Sequence, residues 1–514
     1  MYICRNLYKV LVSVILLSAI QDINTAPPPF SKPSRPAGGS RPDLGPSSSG
    51  GSSSSGSQGE SSEEEENCFP FKKAGGALAV DNVAGIRIRS GNKVVLLGYD
   101  DTYSSDALKE GEDSFSDMNF FRKYPKLISI ELDGLALTPE MLENLQKFAP
   151  QDLKSIIVRN CTAEKWEECA DLISDIIRKH GNLGSLTIVL PSLSGESCSK
   201  ILGAASGIKF KFFNFVAAEF SNEGIGHLKE ILSASAETLL GLSLGVGKII
   251  DEEKEEELYG HLAEAIGGLK SLRSLDLAFM SLMEVALAHI VENIGHLIKL
   301  ETLRLFFGGV HEHDHVKLFE HIEILQKSLE MLEKLGVLDI SSNNFPEEAL
   351  QLILIALKKM KNLNVLNISE NLISDKTAAV LSDSVGEHGT LVTLTANDCK
   401  INDAALTALF SKPENTPALQ ILSLRNNEIK ESIKSIPVAS MTDLKVIDFS
   451  GNQIGYAEVI GMVDSVVEHP SLQVVNFKGN SGIESTDSIE RSLRHDELEK
   501  KRVEKKIHVA FFGV

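Results

Sequence analysis

Past its first twenty residues the chain has no apolar run long enough to cross a bilayer, which takes about 20 consecutive residues. It also lacks an excess of positive charge: 51 Lys and Arg stand against 71 Asp and Glu, for a formal charge of −20. Nucleic acid needs clustered cations to neutralise its phosphates, and an anionic membrane surface needs the same. Both are poor partners, and a basic protein surface fits better. Cysteine is scarce and unframed. With Cys4 set aside, Cys68, Cys161, Cys169, Cys198 and Cys399 are odd in number and show no tight spacing. A disulfide-stapled scaffold is excluded; free buried thiols are expected, with one bridge among Cys161, Cys169 and Cys198 as the alternative.

Catalytic signatures are missing as well. Gly245-Val246-Gly247-Lys248 lacks the leading spacing and the Ser/Thr of a phosphate loop, and reads as a repeat turn. In His311-Glu312-His313-Asp314-His315 the second His falls too early for the HExxH of a zinc protease. There is no Gly-x-Ser-x-Gly elbow. The chain is therefore expected not to be an enzyme, and to need no cofactor.

What is present begins with an export signal. Arg5 and Lys9 precede the apolar stretch Val10 to Ile20, which has the length of a signal h-region. We place a signal peptide at 1–25 and expect a secreted protein. Residues 26–67 are Pro-rich, then Ser- and Gly-rich, then acidic from Glu63 to Glu66. Such composition cannot bury enough apolar surface to offset chain entropy, so it reads as a disordered linker. Residues 68–126 are expected to cap the domain that follows. In them Ile86-Arg87-Ile88 and Val94 to Leu97 flank Ser90-Gly91-Asn92, a hairpin signal.

From Leu127 one unit recurs, with apolar residues at its first, fourth and sixth positions. Clear copies are LGVLDISSNNF from Leu335, LNVLNISENLI from Leu363, LQILSLRNNEI from Leu419 and LKVIDFSGNQI from Leu444. Weaker copies start at Leu127, Leu153, Leu183, Phe210, Leu239, Leu272, Leu300, Leu391 and Leu472, at spacings of 25 to 35 residues and most often 28. Helical patterns fill the gaps. Each unit is too small to bury its own apolar face, so the units must stack. Alternation turns Leu363, Leu366 and Ile368 inward and Asn367 outward.

These units resemble the leucine-rich repeat family in its long, ribonuclease-inhibitor-like form. The resemblance covers 127–498, about thirteen repeats, and implies an α/β horseshoe solenoid with parallel strands on the concave face and helices on the convex face. Residues 499–514 then form a C-terminal cap, with Ile507 to Phe512 as a closing strand. The resemblance also implies that Cys161, Asn343, Asn371, Cys399, Asn427, Asn452 and Asn480 are buried and bond backbone groups where each strand turns away. A short amide can satisfy such groups, and burying one without partners would be costly.

In this register two columns face outward. One contains Glu131, Ile157, Thr187, Asn214, Ser243, Asp276, Arg304, Asp339 and Asn367; its neighbour contains Asp133, Arg159, Val189, Val216, Gly245, Ala278, Phe306 and Ser341. Aromatic and Arg residues in the middle of a concave surface have the make-up of a binding hot spot. Phe279, Arg304, Phe306, Asp276 and Asp339 are therefore the candidate partner-binding residues. His311, His313, His315 and His321 could share a face only in an extended segment, and a helix expected from about Asp314 would scatter them. Asn160 and Asn367 begin glycosylation sequons. The expected function is a secreted, non-catalytic module that recognises a protein partner through its concave face. The alternative is an inhibitor or GTPase-activating-type regulator with the same fold. The oligomeric state is not legible.

Overall fold

In a computed structural model the described residues are 83–89, 93–98, 103–104, 127–250, 252–279, 283–307, 315–386, 389–412, 418–480 and 508–510. The expected signal peptide and linker, and His311 and His313, lie outside them. Near the N-terminus, β1 (Val83–Arg89) pairs antiparallel with β2 (Lys93–Gly98), which pairs antiparallel with β3 (Tyr103–Ser104). The repeats supply β4 (Ser129–Asp133), β6 (Ser155–Arg159), β8 (Ser185–Leu190), β9 (Phe212–Phe220), β10 (Gly241–Ile249), β11 (Ser274–Phe279) and β12 (Thr302–Phe306). They continue as β13 (Val337–Asp339), β14 (Val365–Asn367), β15 (Thr393–Thr395), β16 (Ile421–Ser423), β17 (Val446–Asp448) and β18 (Val474–Asn476), and β19 (His508–Ala510) follows. A separate short pair joins β5 (Ala136–Leu137) to β7 (Thr162–Ala163).

From β4 to β18, thirteen repeat strands run parallel, each paired with the next. At the two ends β1 pairs parallel with β4, and β19 with β18. Parallel neighbours need a crossover of a dozen or more residues, and helices supply most of these. Examples are Asn222–Ala234, Glu255–Gly267 and Glu347–Ala356. Between β16 and β17 the unit shrinks, and two 3-10 turns, Ser432–Ser435 and Val438–Ser440, take the helix's place. The architecture is an α/β solenoid, strands on one face and helices on the other.

The apolar positions of the repeat form the core. Leu300, Leu303, Leu335, Leu338, Leu363 and Leu366 are fully buried, against helix residues such as Leu350, Ile353 and Leu354. One repeat of the irregular N-terminal half fills its interior with rings. Phe210, Phe213, Phe215 and Phe220 are buried and touch in sequence, with centroids 5.3, 6.1 and 5.9 Å apart.

The Asn and Cys residues form rungs between repeats. Asn343 Oδ1 accepts from the Phe307 N–H of the previous repeat at 2.8 Å, while its Nδ2 donates to the carbonyls of Leu305 at 2.8 Å and Ile340 at 2.9 Å. Asn371, Asn452 and Asn480 repeat the pattern. Asn427 accepts from both Cys399 and Ile401 N–H groups at 3.0 Å. The thiols of Cys161 and Cys399 donate to carbonyls instead, Cys399 to Ile368 at 3.4 Å and Asn397 at 3.2 Å. Burial pushes the Cys399 thiol up to about 12, so it keeps the proton it donates.

One regularity the sequence reading missed lies directly before each rung. Asn160, Ser342, Glu370, Asp398, Asn426, Gly451 and Gly479 all have positive φ, from 54° to 71°. A single left-handed residue turns the chain out of the strand and aims the next side chain back beneath it. Asn, Asp and Gly enter that region at least cost, and five of these seven residues are of those types. Ser342 and Glu370 are not, and nothing local would have marked them.

Candidate concave binding face

Strand alternation brings one residue per repeat into a row across the sheet. Asn214, Ser243, Asp276, Arg304, Asp339 and Asn367 are successive register partners from β9 to β14. At its centre Arg304 stands between two aspartates without closing a strong ion pair. Its Nη1 lies 4.0 Å from Asp276 Oδ2, and both side chains are only 14% exposed. Nε and Nη2 of Arg304 are buried and have no hydrogen-bond acceptor among the described residues. Ser243 Oγ donates to Asp276 Oδ2 at 3.5 Å. Asp339 turns elsewhere: its Oδ1 accepts from Ser341 N–H at 3.0 Å and Oγ–H at 2.7 Å.

The outward columns need correcting at several places. Glu131 and Asp339 are 2% and 5% exposed, so neither is presented to solvent as the alternation implied. Glu131 is roofed by Arg159 from the next repeat, whose Nη2 reaches it at 2.6 Å and Asp133 at 3.3 Å. In the second column Val189 and Ala278 are buried too. Parallel strands about 4.8 Å apart let a long side chain lie over a shorter neighbour. Phe306 is half-buried beside this strip and in register with Ala278. Phe279 does not pair with it; its backbone partner is Val246. Phe307, just past the strand, is fully buried.

Gly245 and Gly247 of β10 let β9 close in. A Cβ at Gly245 would lie 2.7 Å from the Val216 methyl, and one at Gly247 would overlap the Ala218 carbonyl. Gly245 to Lys248 is thus a segment of strand β10 and not the repeat turn expected for it. Of the sequons, Asn160 is exposed, and its Nδ2 donates to Asp133 at 3.1 Å. Asn367 lies in the central row and accepts from Ser369 N–H at 3.2 Å.

On the helical side a groove of about 610 Å³ runs between Glu255–Gly267 and Met283–Ile294, lined by Glu256, Glu257, His261, Glu264, His289 and Glu292 among others. Beside it, Glu252 and Glu253 lie in a 3-10 turn, Glu252–Lys254, and Glu255 to Glu257 in the first helical turn, where negative charge suits the helix dipole. His315 opens the helix His315–Glu330, and His321 is six residues further along it. Among the described residues no three His, Cys, Asp or Glu are grouped to hold a metal ion, and no helix is long and apolar enough to cross a membrane. Cys161, Cys169, Cys198 and Cys399 are all buried free thiols, which removes the alternative of a bridge among the first three.

No protein-family model and no curated protein matches the chain. Among solved structures, an internalin (inlF) from Listeria monocytogenes is 14% identical, over 77% of this chain and 89% of its own, with a TM-score of 0.40. An LRR protein of Leptospira interrogans is 16% identical over 76% and 91%, with a TM-score of 0.34. The Rad7 and Elc1 complex in yeast gives 15% over 72% and 75%, with a TM-score of 0.39. Likenesses this distant carry no argument, and the witness to the fold is the chain's own run of repeats. Strand by strand, with an amide or thiol rung under each regular turn, this chain is built as a leucine-rich repeat solenoid.

Proposed function

We propose that the protein is exported and, without catalysing a reaction, binds a protein partner through the concave face around Arg304 and Phe306. One observation carries this reading. On the strands at the middle of this face, Phe306 is half-buried next to an arginine two of whose nitrogens have no acceptor among the described residues. Aromatic and arginine side chains at the middle of a surface are the groups that dominate binding energy when a partner covers them. The Arg5, Lys9 and Val10 to Ile20 pattern supports export.

The test has two arms. A C-terminally tagged full chain should accumulate in the medium of a secreting cell; retention inside the cell would remove the export half. A partner isolated on the 69–514 fragment should lose about 2 kcal/mol or more of affinity for Arg304→Ala or Phe306→Ala, with unfolding midpoints unchanged. Parental affinity for both variants would place the binding surface elsewhere.

A further inference from the structure

We propose that Asp276, Arg304 and Asp339 form a pH-sensitive charge switch in the middle of the concave face. Asp276 adds a negative charge to the row at neutral pH and loses it in mild acid, so a basic group of a docked partner is held there more weakly as the medium acidifies. The consequence for docking rests on the concave-face reading above; the switch itself does not.

The geometry supplies the reason. Three ionisable groups on adjacent strands are in register, and all are largely withdrawn from water: 14% exposure for the Asp276 and Arg304 side chains, 5% for Asp339. In such a place charges are tolerated only when closely paired. Here they are not. Arg304 reaches Asp276 only at 4.0 Å, through Nη1. Nε and Nη2, the side-on fork that grips a carboxylate with two parallel bonds, hold nothing among the described residues. Asp339 spends one oxygen on Ser341. The least costly relief is a proton on Asp276.

Among the described residues the groups facing Asp276 are few. From β10 it meets Ser243, a neutral donor at 3.5 Å; from β12 it meets Arg304; beyond that strand Asp339 adds a second negative charge. Burial pushes the Asp276 carboxyl up to about 6, Arg304 pulls against it, and Asp339 adds to the rise. Its ionisation therefore falls between neutral and mildly acidic conditions.

The experiment needs no partner. The full chain, with ¹³C-carboxyl aspartate, is titrated by NMR from about pH 4 to about pH 8, and the Asp276 signal is assigned by its loss in Asp276→Asn. If that variant does not fold, Asp276→Glu removes the same signal while keeping a carboxylate. The expected midpoint is near 6. Arg304→Gln should move it up and Asp339→Asn should move it down, each by about half a pH unit or more. A midpoint near the ordinary ~4 of an aspartate, or a variant moving the wrong way, overturns the switch. Such a failure leaves the Arg304→Ala and Phe306→Ala affinity test standing, and a failure of that test leaves the titration standing.

Discussion

Asn371 shows how one side chain joins two repeats. Its Oδ1 takes the Phe345 N–H at 3.2 Å, and its Nδ2 serves the Ile340 and Ile368 carbonyls at 3.0 and 3.1 Å, all in the interior. Asn371→Ala strands these backbone groups and should cost roughly 1–3 kcal/mol in urea unfolding; a surface-like value would contradict the rung. Asp276 works in the opposite sense. Its folded carboxyl is raised to about 6, above the unfolded value of roughly 3.9, so folding favours the protonated form. That contribution is complete below the unfolded value and is lost as pH climbs through about 6. Asp276→Asn, neutral throughout, should match the parent near pH ~4 and exceed it at neutral pH by at most roughly 3 kcal/mol. Equal stabilities across the range would remove the buried-charge account.

Strands β9 and β10 are the longest in the solenoid, nine residues each with eight register pairs, and their closeness depends on glycine. Gly247→Ala places a methyl against the Ala218 carbonyl, which must shift, so a loss of about 1–3 kcal/mol is expected. Gly226, exposed in the helix Asn222–Ala234 with open space around it, is the control. Gly226→Ala should stabilise by about 0.5–1 kcal/mol, because only backbone entropy changes. Thermal melts of the pair, parallel rather than opposite in sign, would show that β10 is not tightly apposed to β9. Helix starts follow ordinary capping: Thr138, Ser194, Ser221 and Asn402 each accept a backbone N–H three residues on.

Among the described residues the whole solenoid is held by stacking and rungs, without disulfides. Reductant should leave the melting temperature unchanged, and a thiol reagent with peptide mapping should label Cys161, Cys169, Cys198 and Cys399 only after denaturation. Labelling in the native state would mean the repeats open locally. Much of this architecture was legible in the chain. The first, fourth and sixth apolar positions recur in every repeat, and the Asn or Cys that follows recurs in the regular ones, because each follows from local geometry: two residues per strand pleat and one turn out of the strand. Sequence by itself therefore determined the fold, the strand register and which side each strand residue faces. It did not determine which of those residues a partner could touch. Glu131 is covered by Arg159 and Asp339 withdraws to Ser341, while Phe306 aligns with Ala278 and not with Phe279. Such coverage is decided by side chains a full repeat away in sequence but one strand spacing away in space, and only the stacked structure brings them together.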